Sequence, residues 1–487
     1  MTIILIEITK YLMIILMAVY TFQSFSALKS ERSDEDRSLL FQMQRYEIFL
    51  FQFMGFLDLF IVTQDTKVLI LAAFVILLFV FIELTYGLVY KNAPKLLLNN
   101  MCMLLSISFI MLGRLDIDNA MKQLMIAVVA AFGTILVPFL IEKISFLDKL
   151  TYFYAILGIG SLGLVAVLGA VSYGAKLAIT VGGISLQPSE FIKIVFVFFV
   201  AAILNRSIEF KNLVLATVIA ALHVMILVAS KDLGAGLLFF MVYLTMLYVA
   251  SRKVSYLFAG LGAGALASVG AYFVFSHVRT RVIAWKDPFS VIDGAGYQVS
   301  QSLFAIGSGG WFGSGLYQGL PTSIPVVQQD FIFSAISEEM GGIVAVCLVL
   351  ICMCCFFIIL NIAMKIHRSF YKLIALGLGT VYIFQVFLTV GGVTKFIPST
   401  GVTLPFVSYG GSSLLSSFIV FNIILGLYLF KEKEESGIVS KKKEKTGRRK
   451  AYRQPEIQRE EPREKRESGR RSRSGNRKRD REIRDLN

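Results

Sequence analysis

Apolar runs of about 15 to 25 residues follow one another from the N-terminus to residue 430, each ended by a short polar break. A helix rises 1.5 Å per residue, so each run is long enough to cross a hydrocarbon core of roughly 30 Å. The pattern predicts spans near 4–24, 47–63, 68–90, 98–113, 122–141, 150–170, 190–205, 212–229, 233–250, 255–276, 331–361, 372–391 and 406–430. The expected fold is therefore all-α, a polytopic integral membrane protein with about 13 transmembrane helices. The first run carries Glu7 and Lys10 and lacks a small-residue cleavage site, so it reads as a retained span. One break is much longer than the others, at about fifty residues (277–330). It contains both tryptophans, Trp285 and Trp311, and the glycine-rich AIGSGGWFGSGLYQG of 305–319. Amphipathic aromatics beside glycine suit a re-entrant or interfacial segment, with a plain connector as the alternative.

Composition agrees with the pattern. The chain is 56% hydrophobic and 17% charged, with a mean hydropathy of +0.70, whereas soluble domains are nearer a quarter charged. All five cysteines lie in apolar runs, and His223, His277 and His367 are far apart, so neither a zinc site nor a hydrolase triad has support. Charge gathers at the end of the chain. Residues 431–487 hold 22 Lys and Arg against 12 Asp and Glu, which supplies ten of the net +15 charges. Such a segment cannot build a core and is expected to be disordered. Two roles are open to it, attraction to anionic lipid or simple fixing of topology; nucleic acid is not expected, because Tyr452 is its one aromatic and the tail follows directly on a span. A cytoplasmic tail puts the basic loops at 29–45, 91–95, 143–149, 206–211, 252–253 and 365–372 on the inner side. The breaks at 64–67, 114–121, 171–189, 231–232, 277–330 and 392–405 then face outward, as does the N-terminus.

Ionisable groups within a bilayer cost roughly 2.5 to 3.5 kcal/mol each on insertion scales, so each needs a reason and a partner. In LQPSEFIKI (186–194), Glu190 and Lys193 share a helix face at i, i+3, either as an internal ion pair or as substrate groups. Asp232 opens the span of SKDLGAGLLFF, and Asp330 opens that of DFIFSAISEEMGG; a helix macrodipole alone would stabilise a carboxylate at either place. It does not explain Glu338 and Glu339, roughly 12 to 14 Å further along a helix, which call for a polar cavity and a basic partner such as Lys193. PSTGVTLPFVSYGGSSLL (398–415) adds prolines, glycines and hydroxyls, Ser408 among them, close to Lys395. Irregular backbone at membrane depth is tolerated where it lines a cavity. Basic groups and open backbone N–H groups there suit a phosphate-bearing ligand.

Taken in order, QPSEFIK, KDLGAG, DFIFSAISEE and LPFVSYGGSS resemble the motifs of the SEDS family (shape, elongation, division and sporulation), the relatives of RodA, FtsW and SpoVE. The resemblance runs from about 98 to 430, the last ten predicted spans, which is the family's core helix count. It leaves 1–97 as three additional N-terminal helices and 431–487 as a tail. It implies a peptidoglycan glycosyltransferase that polymerises lipid II on the outer face of a bacterial cytoplasmic membrane, in complex with a class B penicillin-binding protein. It also implies that Asp330, the aspartate of the DFIF motif, is the residue required for polymerisation, with Glu190 and Lys193 linked to function. The chain departs from the family pattern at Lys231 and Ala235, where proline and threonine are frequent, and at Thr389 and Lys395 near the last motif.

The chemistry expected of such a site is one inverting displacement with Asp330 as general base. Glu190, Lys193, Asp232, Glu338, Glu339, Lys395 and Ser408 are expected to bind substrate or support the site. Lys193, Lys395, Arg279 or Arg281 would take the diphosphate, alone or with a divalent cation such as Mg or Mn held by a carboxylate, and the sequence does not choose among them. Two readings from other classes stay open, a carrier that flips the same lipid and a noncatalytic scaffold for the transpeptidase.

Overall fold

Polar residues at the breaks in the apolar pattern set where the helices begin. Ser33 accepts a hydrogen bond from Asp36 N, Asp65 from Lys67 N, Asp116 from Asp118 N and Asn119 N, and Asp232 from Ala235 N, so four helices start on side-chain caps. The computed structural model describes residues 2–29, 33–168, 170–172, 175–181 and 184–451, with side chains outside 34, 170–172, 175–181, 184–185 and 436–451. Seventeen helices are described. The first three are α1 (Thr2–Ala27), α2 (Asp34–Thr63) and α3 (Thr66–Val89). Next come α4 (Lys95–Leu115), α5 (Ile117–Thr134), α6 (Val137–Lys143), α7 (Thr151–Leu168), α8 (Ser189–Arg206), α9 (Phe210–Ala229), α10 (Leu233–Ser251) and α11 (Val254–Val274). The long loop 277–330 and its approach contain α12 (Ser276–Lys286) and α13 (Tyr297–Gly309). The chain continues through α14 (Ile332–Glu339), α15 (Gly342–Lys365), α16 (Ser369–Val393) and α17 (Gly411–Ala451).

Twelve helices are long and apolar enough to cross a membrane by length and composition, with α5 and α6 counting as one. The remaining position in the predicted threading falls to α8, which carries Glu190, Lys193 and Arg206. The centre of the fold follows from which helices are apolar all round. α4 is buried from Asn99 through Gly113, and α8 from Ile192 through Leu204 except at Val195, each enclosed by its neighbours. At the other extreme, α11 has no buried residue.

The structure corrects the sequence reading in three places. The predicted span 331–361 is two elements, because the chain breaks after the eight-residue α14 and α15 starts afresh at Gly342. Gly341 makes the break at φ +94°, a conformation that L side chains rarely adopt. The predicted loop 171–189 contains a three-stranded antiparallel meander, β1 (Ala170–Ser172), β2 (Ala175–Val181) and β3 (Ile184–Leu186). AKLAITV in β2 is rich in β-branched residues and is followed by two glycines, the chemistry of a strand and its turn. Helix α17 also continues past 430, where disorder was expected. Lys431 pairs with Glu435 at 3.7 Å, Glu434 accepts from His367 N at 3.1 Å, and Lys433 pairs with Glu142, so the charged turn is docked.

Residues Met1–Glu435 form one compact unit, so the three additional helices belong to the same body as the rest. A second unit, Ser436–Asn487, is described only as helical backbone as far as Ala451, and the disorder expected of 452–487 lies outside the described residues.

Candidate active site

Asp330 does not cap a helix. It lies in the turn before α14, whose N-cap position is Phe331 and receives no side-chain cap. The backbone around Asp330 is held from the opposite side by the VSYGG segment. Ser408 donates its hydroxyl to Gln329 O at 2.5 Å and accepts from Leu404 N at 2.8 Å, and Tyr409 N donates to Gln328 O at 2.8 Å. Helix α5 closes the clamp, with Asn119 Nδ2 donating to Gln328 Oε1 at 2.9 Å and Gln123 Nε2 donating to Ser408 O at 3.1 Å. Ser408 is buried, and its hydroxyl bonds fix the Asp330 turn. The Asp330 carboxylate accepts no hydrogen bond from another side chain among the described residues. Burial raises it to about 6, and a hydrogen bond to its own backbone and then the nearby Arg281 partly offset that shift.

Arg281 reaches the site from α12, which lies against the turn after α16. Arg281 Nη1 donates to Ser399 O at 3.1 Å, and one turn further along Trp285 Nε1 donates to Lys395 O at 3.1 Å. The same turn contains Gly401 at φ +72°; a Cβ there would sit 3.7 Å from Arg281 Nη2 and 3.9 Å from Asp330 Oδ2. The glycine therefore marks the gap between cation and carboxylate. Burial lowers the Arg281 guanidinium from its ordinary value, and Asp330 and Asp232 oppose that shift, so one arginine serves two carboxylates. His277, on the same helix, is held down by burial and by the positive charges of Arg281 and Lys231. The mouth of the site thus carries concentrated positive charge beside a carboxylate that no other side chain bonds among the described residues.

Asp232 links this group to the QPSEFIK motif. It accepts from Ala235 N at 3.1 Å and from the Ser189 hydroxyl at 3.2 Å. A Cβ on Gly234 would meet Thr400 O at 2.7 Å, so the start of α10 is pressed against the Gly401 turn. Next to Ser189, Lys193 Nζ bonds Glu190 Oε2 at 2.5 Å and Gln385 Oε1 at 3.0 Å, while Ser416 donates to the same Glu190 oxygen at 2.9 Å. Three helices, α8, α16 and α17, thus supply the partners of this ion pair.

Glu338 and Glu339 do not meet Lys193. Glu339 is paired with Arg114 at the end of α4, through Nε at 3.0 and 3.1 Å and Nη2 at 2.9 Å, and the guanidinium lies 4.1 Å over the Tyr317 ring. Glu338 Oε1 accepts from Leu320 N at 2.9 Å, and the Glu338 and Glu339 carbonyls accept from Ser314 N and Gly315 N, both at 2.9 Å. The glycines of 309–315 allow this close approach, since a Cβ on Gly309 would lie 2.2 Å from Ser337 O and one on Gly313 2.5 Å from Glu339 O. Lys193 was the wrong partner because the end of α14 faces α4 and the glycine loop, while Lys193 faces α16. Lys395 lies in the left-handed region at φ +61° and contributes its carbonyl to Trp285; no carboxylate pairs with it among the described residues.

Sequence reading did not single out Arg114, Asn119, Gln123, Gln385 or Ser416. An arginine closing the apolar run of α4 was the available signal for the first, and nothing local marks the others. Among the described residues, no three His, Cys, Asp or Glu side chains are grouped to hold a metal ion.

A family model for FtsW, RodA and SpoVE, described as "Cell cycle protein", matches residues 93–433. Peptidoglycan glycosyltransferase RodA of Mycobacterium tuberculosis strain H37Rv is 36% identical over 358 residues, covering 68% of this chain and 76% of that protein. Stage V sporulation protein E of Bacillus subtilis strain 168 is 33% identical over 270 residues, covering 53% of this chain and 73% of that protein. In fold, the chain is similar to a component of a solved peptidoglycan synthase complex, with a TM-score of 0.60, 24% identity and coverage of 70% of this chain and 99% of that one. It is also similar to the rod shape determining protein RodA of Thermus thermophilus, with a TM-score of 0.52, 22% identity and coverage of 70% and 97%.

Proposed function

This chain belongs to the FtsW, RodA and SpoVE family, and we propose that it is a peptidoglycan glycosyltransferase that polymerises lipid II with Asp330 as the general base. The observation that carries this reading is the contrast within one turn. Its backbone is anchored by Ser408 and Tyr409, and Asn119 holds the Gln328 side chain, while the Asp330 carboxylate accepts no bond from another side chain among the described residues and lies beside Arg281. A base needs that combination of fixed position and open lone pairs, and a proton affinity near the working pH.

In the proposed step, Asp330 takes the proton of the acceptor sugar's 4-hydroxyl as that oxygen bonds to the anomeric carbon of the growing strand. The bond from that carbon to the diphosphate oxygen breaks, and undecaprenyl diphosphate leaves with the electron pair. Attack opposite the departing group converts an α-linked diphosphate into a β-1,4 linkage in one displacement. Arg281, together with Lys231 and Lys395 near the mouth, stabilises the negative charge that develops on the leaving group. Mg or Mn would be held by Asp330 or Asp232 together with substrate diphosphate oxygens, since no carboxylate cage is present among the described residues. The basic loops support a reading with the tail on the cytoplasmic side and Asp330 on the outer side. A class B penicillin-binding protein is the proposed partner that cross-links the product, and anionic lipid the proposed partner of the tail.

Purified protein in detergent, supplied with lipid II, tests the reading. Polymer is expected from the wild type and not from Asp330→Ala. Undiminished polymer from the variant would remove Asp330 as the base. Absence of polymer from a well-folded wild type, with lipid movement in vesicles retained, would turn the reading toward a carrier.

A further inference from the structure

The polymerisation reading makes no use of a cleft on the far side of the unit, where α2, α3 and α4 diverge. Its cavity volume is about 70 Å³, a narrow slot open at one end. Its walls are Ile48, Phe49, Phe79, Ile82 and Tyr86, and Leu84 and Leu88 beside it are exposed to the bilayer side of α3. Gly87 lies on the wall, and a Cβ built there meets nothing within 4 Å, so the space in front of it is empty.

The mouth of the cleft is basic. Arg45, Lys91 and Lys95 line it, with Glu83 as the only carboxylate among its lining residues. Glu83 is paired with Arg45, while Arg45 Nε is buried without an acceptor. Lys91 and Lys95 are exposed and have no carboxylate partner among the described residues; Glu432 reaches the same turn but accepts from Asn92. Lys95 also opens α4, whose N-terminus has no side-chain cap, so the positive end of a 21-residue helix points toward the same mouth. An apolar slot of this kind, ending in unpaired cations at the basic face of the protein, matches a lipid tail ending in a phosphate.

We infer that the cleft between α2, α3 and α4 binds an anionic phospholipid, one acyl chain lying along Phe79, Ile82 and Gly87 and its phosphate at Arg45, Lys91 and Lys95. The site joins the additional N-terminal helices to the first helix of the family region, so the lipid would tie the two together.

Native mass spectrometry of the full-length protein in mild detergent, with phosphatidylglycerol or phosphatidylcholine added, tests the assignment. The wild type is expected to retain one phosphatidylglycerol in clear preference to phosphatidylcholine. Lys91→Gln with Lys95→Gln changes only exposed side chains and is expected to weaken retention by about thirtyfold, at about 1 kcal/mol for each lysine near a charged surface. Gly87→Leu fills the slot without a clash and is expected to displace the lipid while leaving the melting temperature of lipid-free protein unchanged. Equal retention of the two lipids, or unchanged retention in both variants, would overturn the proposal. So would displacement by millimolar inorganic phosphate, which would make this a phosphate site, or by undecaprenyl phosphate, which would make it a carrier site.

Discussion

Two carboxylates at opposite ends of α14 have opposite surroundings. Glu339 is buried, gripped by Arg114 through two nitrogens and closed over by Tyr317. Asp330 shares Arg281 with Asp232 without forming a direct ion pair to it among the described residues, and its carboxylate is partly open. A fully satisfied buried pair supports a fold, because losing one partner strands the other. An anchored but unsatisfied carboxylate adds little stability and is available to a substrate. Comparing the two shows that within one apolar helix, the degree to which an acid is already partnered separates scaffold from chemistry.

The largest effect is expected at Asp330. Asp330→Asn should lower polymerisation of lipid II by about 10²- to 10⁴-fold. It should melt no lower than wild type, because burial already disfavours the ionised carboxylate at neutral pH. Loss of activity accompanied by loss of folding would erase the contrast. Next is Arg114→Ala, which leaves Glu339 buried and unpaired and should cost about 3 to 5 kcal/mol of stability. Here the thermal shift should be large, and turnover per folded molecule at low temperature should stay within a few fold. A stable but inactive Arg114→Ala would move the Glu339 group into the chemistry.

A third effect appears in the pH profile. The base form of Asp330 is lost as pH falls through about 6, so the rate should drop tenfold per unit below that point. Arg281 holds the value down, so Arg281→Gln should move this acid limb to higher pH; an unmoved limb would mean that another group titrates. The smallest change is Ser408→Ala. It removes the bonds to Gln329 O and from Leu404 N and should cost about 1 to 3 kcal/mol of local anchoring. The rate should fall with the acid limb in place, whereas a shifted limb would show that Ser408 acts on the carboxylate itself.

Much of this was legible in the sequence. Hydrophobic runs located the helices because burial in a bilayer demands unbroken apolar length, and the four ordered motifs brought Asp330, Asp232, Glu190 and Lys193 into view. The break at Gly341 was not legible. Nothing in SEEMGGIVAV distinguishes a continuous helix from two, and the positive φ follows from the backbone of 309–315 packed against it. Arg114 was missed as the partner of Glu339 because a pairing between residues more than two hundred positions apart depends on which face of α14 turns toward α4. Asp330 and Asp232 looked alike as acids at helix starts. Only coordinates show that Asp232 spends its carboxylate on a cap while Asp330 does not.

The first helix bears on how such a chain can be taken apart. Lys10 donates to Gly313 O at 3.4 Å, the Tyr11 ring lies tilted against Phe312 with centroids 5.9 Å apart, and a Cβ on Gly315 would touch Ile6 at 3.1 Å. An element outside the family's matched region thus covers the glycine loop that the Glu338 and Glu339 carbonyls hold. Ancestry and cooperativity therefore draw different borders on this molecule. A truncation at residue 93 would keep every shared motif yet expose the back of the loop, and a relative without these helices would need a differently finished surface at that place.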